Sequence, residues 1–427
     1  MTRTMKDSGI EWIGEIPEHF EVIRNKYFIS YIKGKNPQTI NDNKQGVPYI
    51  GASELDNISG NCDYKNYTED VDLPTCNNED VLVLWDGARA GLVGRNHCGA
   101  ISSTIVNVNP NINVINKHFW FYYIKGFEQF LYDRVNGTTI PHMNKKFIDD
   151  IRFINFNLPE QEKIAEFLDE KCSHIDAVLE KTRASIDEYK QLKQSVITQA
   201  VTKGIRPNRP MKDSGIEWIG EIPEDWKVSK IKFVAKFNPQ YTVETNDNDI
   251  VTFAPMECIK NGYYINKETS YQSGNTSYTP FQEGDIVVAK VTPCFENGNI
   301  AIMEGLSSGY GYGSSELFVL RPFDIDTKYL FYYLQNESFK RMGCSTMTGT
   351  GGLKRVSPIF IQNYSIPYFS KSEQIEIANY LDDKCAEIDK LITKKEQLIE
   401  ELETYKKSLI YEYVTGKKEV CKWKKSC

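Results

Sequence analysis

Histidine is scarce in this chain, long apolar runs are missing, and the cysteines come without partners. Its 427 residues include five His and ten Cys, with no CxxC pair and no His-rich neighbourhood, which excludes the familiar zinc spacings. No uninterrupted apolar stretch approaches the roughly 20 residues of a membrane-spanning helix. The opening MTRTMKDSGIEW lacks the apolar core of a secretory signal, so reduced thiols in a cytoplasmic protein are expected. The Gly-x4-Gly-Lys-Ser/Thr loop and the Gly-x-Gly-x-x-Gly fingerprint are absent, as is a convincing PD-(D/E)xK carboxylate set. A free-standing DNA methyltransferase or nuclease is therefore only the alternative reading. An excess of positive charge is missing too: the net charge of −7 argues against indiscriminate coating of nucleic acid, but is compatible with a local basic groove.

What is present is duplication. The run MKDSGIEWIGEIPE stands at Met5–Glu18 and again, unchanged, at Met211–Glu224. A second repeat closes each half: QEKIAEFLDEKCSHID (Gln161–Asp176) matches QIEIANYLDDKCAEID (Gln374–Asp389). The plan is variable–repeat–variable–repeat. The closing repeats read as long helices. Ile164, Leu168, Ile175, Leu179, Ile186, Tyr189 and Val196 fall at mixed three- and four-residue spacings, as do Ile377, Leu381, Ile388, Ile392, Ile399, Leu402 and Leu409. That stripe buries one face against a partner helix. Pro159 and Ser372 are start signals, and Gly204 and Gly416 are stops. About 40 such residues make a rod near 60 Å long. A dimerisation arm needs only one copy per chain, whereas two copies let a monomer pair with itself. An antiparallel pair would put the variable regions at opposite ends, about an approximate two-fold axis.

The variable regions differ in kind. DVLVLW (Asp80–Trp85), GAISSTIVNV (Gly99–Val108), GDIVVAKV (Gly284–Val291) and SELFVLRP (Ser315–Pro322) are strand signals bounded by turn residues. Each region then shows one helical patch with an aromatic cluster, Phe119–Leu131 and Tyr329–Met342. The Phe-Tyr-Tyr triplets Phe121–Tyr123 and Phe331–Tyr333 fall at comparable places and read as core. The two regions are thus expected to share a fold.

The repeated LPEQEKIAEFLDEKCSHID segment, the doubled SGIEWIGEIPE, and the loops TTIPHMNKKFI and TGTGGLKRV at corresponding ends of the variable regions resemble the specificity subunits of Type I restriction–modification systems. The resemblance covers nearly the whole chain. It implies an α+β protein with two α/β target-recognition domains, separated by two long helices packed as a pseudo-two-fold antiparallel coiled coil. The expected division is 1–157 and 207–370 for the recognition domains, 158–206 and 371–416 for the helical repeats, and 417–427 for a tail with five Lys and one Glu. The resemblance further implies a noncatalytic subunit that reads a split target in double-stranded DNA. Two methyltransferase subunits and restriction/translocase subunits would be its partners, with no membrane involved. S-adenosylmethionine, ATP and Mg would belong to those partners, and no cofactor or metal to this chain.

Within that frame the candidate DNA contacts are paired loops. In the first region they are Arg89, after Trp85-Asp86-Gly87-Ala88, and Thr138, Thr139, His142, Asn144 and Lys145 of the later loop. In the second they are Lys290, Thr292 and Asn297 after the strand, then Thr350, Gly351, Gly352, Lys354 and Arg355. Backbone N–H, Thr and Lys suit phosphate, while Arg and Asn suit base edges. Asn238-Pro239-Gln240-Tyr241 is near the Asn-Pro-Pro-Tyr of amino-methyltransferases, but Asn36-Pro37-Gln38 occupies a similar place in the first half. A shared turn is the simpler account.

Overall fold

The computed structural model describes residues 4–10, 13–55, 63–135, 141–240, 249–270, 278–350 and 352–420. It divides into two compact units, Met1–Thr182 with Gln397–Cys427, and Arg183–Glu396. Each unit joins one variable region to part of both long helices.

In unit 1 the duplicated run folds as a hairpin, Met5–Asp7 antiparallel to Glu15–Pro17. Its turn needs left-handed backbone at Gly9 (φ +69°) and Gly14 (φ +67°), which glycine adopts without steric cost. The Asp7 carboxylate accepts from the Gly9 N–H at 2.9 Å, and Ile16 is fully buried beneath. Two four-stranded sheets follow. One orders Ile29–Lys33, Ile105–Pro110, Leu82–Leu84 and Val93–Gly94, all antiparallel. The other orders Tyr67–Thr68, Val47–Ile50, Gly99–Ile101 and Thr75–Cys76, with Gly99–Ile101 parallel to Val47–Ile50.

Gly99–Val108 reads as one strand in the sequence, yet it is divided between the sheets. Ser102 makes the corner: its hydroxyl accepts from the Thr104 N–H at 3.1 Å, and its carbonyl from the Ile105 N–H at 2.9 Å. β-Branched residues lie on both sides of the corner, so composition does not mark it. The aromatic patch is likewise two helices rather than one, Lys117–Gly126 and Glu128–Asp133. Gly126 lets the C-terminal helix approach; a Cβ there would sit 3.2 Å from Val414. Phe119 to Ile124 are all buried, which settles the aromatics of this helix as core.

Unit 2 repeats the plan. Met211–Asp213 pairs with Glu221–Pro223. One sheet orders Ala235–Phe237, Leu317–Pro322, Ile286–Ala289 and Ile300–Ile302. The other orders Glu268–Ser270, Ile250–Ala254, Tyr310–Gly313 and Thr279–Gln282, again with one parallel pair at its centre. The aromatic patch is again split, into Thr327–Leu334 and Glu337–Ser345, because the Asn336 side chain caps the second helix by accepting from the Phe339 N–H at 2.8 Å.

The long helices run Leu158–Lys203 and Lys371–Val414, 46 and 44 residues. Gly204 (φ +75°) and Gly416 (φ +68°) end them in left-handed backbone, the usual helix stop. In unit 1, Leu168, Cys172, Ile175 and Leu179 share a core with Leu409, Ile410 and Val414, and Ile399 and Leu402 pack against it. Phe167 meets Tyr413 and Asp176 meets Lys406, so the helices run antiparallel there. In unit 2, Ile197, Ala200 and Val201 share a core with Ile377, Leu381 and Cys385. Ile186, Ile388 and Ile392 are buried and Tyr189 is half-buried, beneath Lys395. Tyr189 meets Lys395 and Lys193 meets Asp389, so this pairing is antiparallel too. The ion pair Asp176–Lys406 of unit 1 uses the same two repeat positions as Asp389–Lys193 of unit 2, with the helices exchanging roles. Among the described residues no helix is long and apolar enough to cross a membrane.

A polar seam locks each aromatic helix onto its long helix. Buried Gln161 accepts from the Asn116 N–H at 2.8 Å and donates to the Val114 and Phe156 carbonyls. Buried Gln374 accepts from the Asp326 N–H at 2.7 Å and donates to the Phe369 carbonyl at 2.9 Å. Tyr122 donates to Asp169 and Tyr332 to Asp382, both at 2.7 Å. Burial and these carboxylates push both phenols well above their ordinary range, so both stay protonated and donate to the carboxylates, while the Tyr122 oxygen also accepts from Arg95 Nη2 at 3.1 Å. The matched repeat positions therefore carry matching jobs, with Gln161 making one bond more than Gln374.

Candidate nucleic-acid interface

In unit 1 the strand Leu82–Leu84 runs out into Trp85-Asp86-Gly87, and the later loop returns alongside it. Met143 N–H donates to the Trp85 carbonyl at 2.8 Å and Gly87 N–H to the Pro141 carbonyl at 3.0 Å. Asp86 and His142 thereby stand opposite each other as an antiparallel bridge. Their side chains meet as well: His142 Nδ1 contacts the Asp86 carboxylate, and Lys33 lies 3.6 Å from the same group. Met143 is fully buried and pins the loop from beneath. Asn144 caps the short helix Lys145–Asp150 by accepting from the Lys146 N–H at 2.9 Å. Lys145 rests its ammonium over the Tyr31 ring, 4.7 Å from the centroid. Arg89 is exposed, and its Nη2 donates to the Ala52 carbonyl at 2.6 Å. Thr138 and Thr139 lie outside the described residues.

Unit 2 builds the same crossing from different residues. Val356 N–H donates to the Lys290 carbonyl at 2.9 Å, and Thr292 N–H to the Lys354 carbonyl at 3.0 Å. Val291 and Arg355 now form the bridge, so Arg355 occupies the place of His142. The Thr292 hydroxyl donates to the Gly352 carbonyl at 2.8 Å and accepts from the Lys354 N–H at 3.0 Å. Its role within the structure is to stitch the later loop to the strand end. Lys354 and Thr350 are exposed on that loop, and Asn297 is exposed beyond the first one. Gly351 lies outside the described residues.

Electrostatically the centre of this site is Glu316, which no sequence motif marks. Arg355 donates to it along one edge, Nε to Oε2 at 2.9 Å and Nη2 to Oε1 at 2.8 Å. Lys290 stands 3.9 Å from Oε2 and donates to the neighbouring Ser315 carbonyl at 2.6 Å. Hydrogen bonding from Arg355, helped by the Lys290 charge, holds the Glu316 carboxyl below its usual range, and Arg355 is held correspondingly above its own. An open groove of about 840 Å³ adjoins the pair, lined by Lys290, Thr348, Arg355, Phe318 and Trp218 among others. Trp218, from the duplicated run, stacks on Tyr364 at 4.1 Å.

The pairing of the loops, with His142 and Arg355 at matching positions, follows the paired sequence segments. The carboxylates Asp86 and Glu316 do not: they lie far in sequence from the side chains they hold, and acidic residues are not what a search for phosphate contacts seeks. Asn238 forms a turn, with φ +43° and its side chain accepting from the Val319 N–H at 2.9 Å, which ties it to the sheet.

Comparison with known proteins agrees with this doubled design. The Type I restriction modification DNA specificity domain matches twice, at residues 17–187 and 223–404. The Type I restriction enzyme MjaVIII specificity subunit of Methanocaldococcus jannaschii is 29% identical over 403 residues, covering 90% of this chain and 89% of that protein. The EcoEI specificity subunit of Escherichia coli is 36% identical over 187 residues, 42% of this chain and 31% of that protein. A solved chain from work on complex assembly and conformational transition of the type I R-M system shares the fold. Its TM-score is 0.68 at 15% identity, covering 93% of this chain and 98% of that one. The chain belongs to the Type I restriction–modification DNA specificity family, as a noncatalytic specificity subunit carrying two specificity domains.

Proposed function

We propose that each specificity domain reads one half of a split target in double-stranded DNA, through the crossed loops around His142 and Arg355. The helical repeats set the spacer between the half-sites and dock two methyltransferase subunits, with restriction/translocase subunits joining the assembly in the cytoplasm. S-adenosylmethionine, ATP and Mg act in those partners, and this chain supplies recognition alone. The observation that carries the reading is the matched bridge, Asp86 with His142 and Val291 with Arg355. One framework thus presents two different side chains, as a non-palindromic target requires. Identical repeat positions with identical contacts, such as Tyr122–Asp169 and Tyr332–Asp382, suit two copies of one docking partner.

Arg89, Asn144, Lys145, Thr292, Asn297, Thr350, Gly352 and Lys354 supply phosphate and sugar positioning around the two reading residues. The test is reconstitution. The purified chain should neither methylate nor cleave DNA alone. Mixed with its methyltransferase subunits, it should direct adenine methylation to a single bipartite sequence. A mixture that modifies no site would remove the proposal.

A further inference from the structure

We infer that Glu316 positions Arg355 to read a guanine, and that this pair sets one base of one half-site. The inference rests on the reading above and adds a base identity and a positioning residue to it. The geometry of the guanidinium carries it. A guanidinium has five N–H donors in a rigid planar fork. Glu316 occupies the Nε–Nη2 edge through two bonds of 2.9 and 2.8 Å. The outer edge remains, with Nη1 and the second Nη2 hydrogen pointing the same way in the same plane. That edge matches the O6 and N7 acceptors of guanine in the major groove, and no other base presents that pair of acceptors there.

Three further features fix the fork rather than merely neutralise it. The Arg355 backbone is clamped by a pair of bonds to Thr348, its N–H donating to the Thr348 carbonyl at 2.8 Å and its carbonyl accepting from the Thr348 N–H at 3.0 Å. Glu316 is fixed in turn, its N–H donating to the Ser314 hydroxyl at 3.2 Å and its carbonyl accepting from the Lys290 N–H at 3.1 Å. Lys290 approaches the same carboxylate, so Glu316 is balanced by two cations and the local charge stays positive toward DNA. A side chain meant only for phosphate gains little from this bracing, because phosphate accepts a cation from many directions. A base edge accepts it from one, and an arm held in advance loses less freedom on binding.

The experiment uses the full chain assembled with its methyltransferase subunits and a duplex library randomised across both half-sites. Methylated molecules are sequenced at several salt concentrations. The wild type should require guanine at one position that Glu316→Gln and Arg355→Lys both relax, by about 5- to 150-fold, in one half only. Glu316→Asp should restore part of that preference, and the slope of methylation against salt should stay as in the wild type. Unchanged requirements in the other half serve as the control for folding and assembly. A uniform loss over all sequences, with a shallower salt slope in the charge-removing Arg355→Ala, would make Arg355 a phosphate contact and overturn the inference. So would relaxation at a position that was never guanine. A wild-type complex that methylates no split sequence would instead sink the broader proposal of function, and this inference with it.

Discussion

Unit 1 and unit 2 put a nitrogen-bearing side chain on the same bridge position and hold it with a carboxylate, but they take the carboxylate from different places. Asp86 stands directly opposite His142 on the paired strand end, so a short acid and a flat ring meet. In unit 2 that opposite position is Val291, and Glu316 reaches in from the foot of another strand to hold the longer Arg355. The framework is thus duplicated while the side chain it presents is not. An imidazole paired through one nitrogen has a single ring atom left to offer. A guanidinium paired along one edge still offers another edge. Two half-sites read by these groups should differ in base content even though the loops cross in the same way.

The shared framework can be broken symmetrically. Leu168 and Leu381 are the same repeat position and both are fully buried. Leu168→Ala and Leu381→Ala should each cost about 2–5 kcal/mol, and denaturant unfolding should show the two losses to be similar. A loss in one unit only would mean that the repeats are not equivalent. The polar seams should be less even. Gln161 makes three bonds and Gln374 two. Replacement by Leu strands backbone groups at a cost of about 1–3 kcal/mol, with Gln161→Leu the more damaging in the same unfolding assay.

Acid should separate the units. All five histidines lie in the span of unit 1, at positions 19, 97, 118, 142 and 174, and none between Arg183 and Glu396. Burial lowers the His97 imidazole from its ordinary 6.5, so the folded unit binds fewer protons there than the unfolded chain. That contribution is complete above the ordinary value and is lost as pH falls through the lowered one. Hydrogen exchange below neutrality should therefore show unit 1 loosening before unit 2, and His97→Gln should narrow the gap. The smallest effects belong to the matched ion pairs. Lys406→Ala and Lys193→Ala should each cost about 0–1 kcal/mol. Lys406 should matter slightly more, since its side chain is 17% exposed against 25%.

The sequence made the repeats legible because their chemistry is local. Heptad-like stripes, a Gly stop and an invariant fourteen-residue run need no knowledge of distant neighbours. Leu168, Leu179 and Leu381 could be placed in a core from spacing alone. The loops carrying His142 and Arg355 were legible as a corresponding pair, because both follow an aromatic helix and precede a long one. The corner at Ser102 was not, since β-branched residues on either side suit one strand as well as two. Asp86 and Glu316 were not singled out either. Glu316 lies 39 positions from Arg355, and only the folded sheet brings them together. Side chains whose function is to orient another residue leave no periodic trace.

The central claim, one duplicated frame with two unlike readers, is tested most directly by mapping the methylated sequence of three reconstituted complexes: wild type, His142→Ala and Arg355→Ala. The account expects one split motif in the wild type. One substitution should relax one half of it, and the other substitution the opposite half. Two substitutions that alter the same half, or that weaken both halves equally, would contradict it.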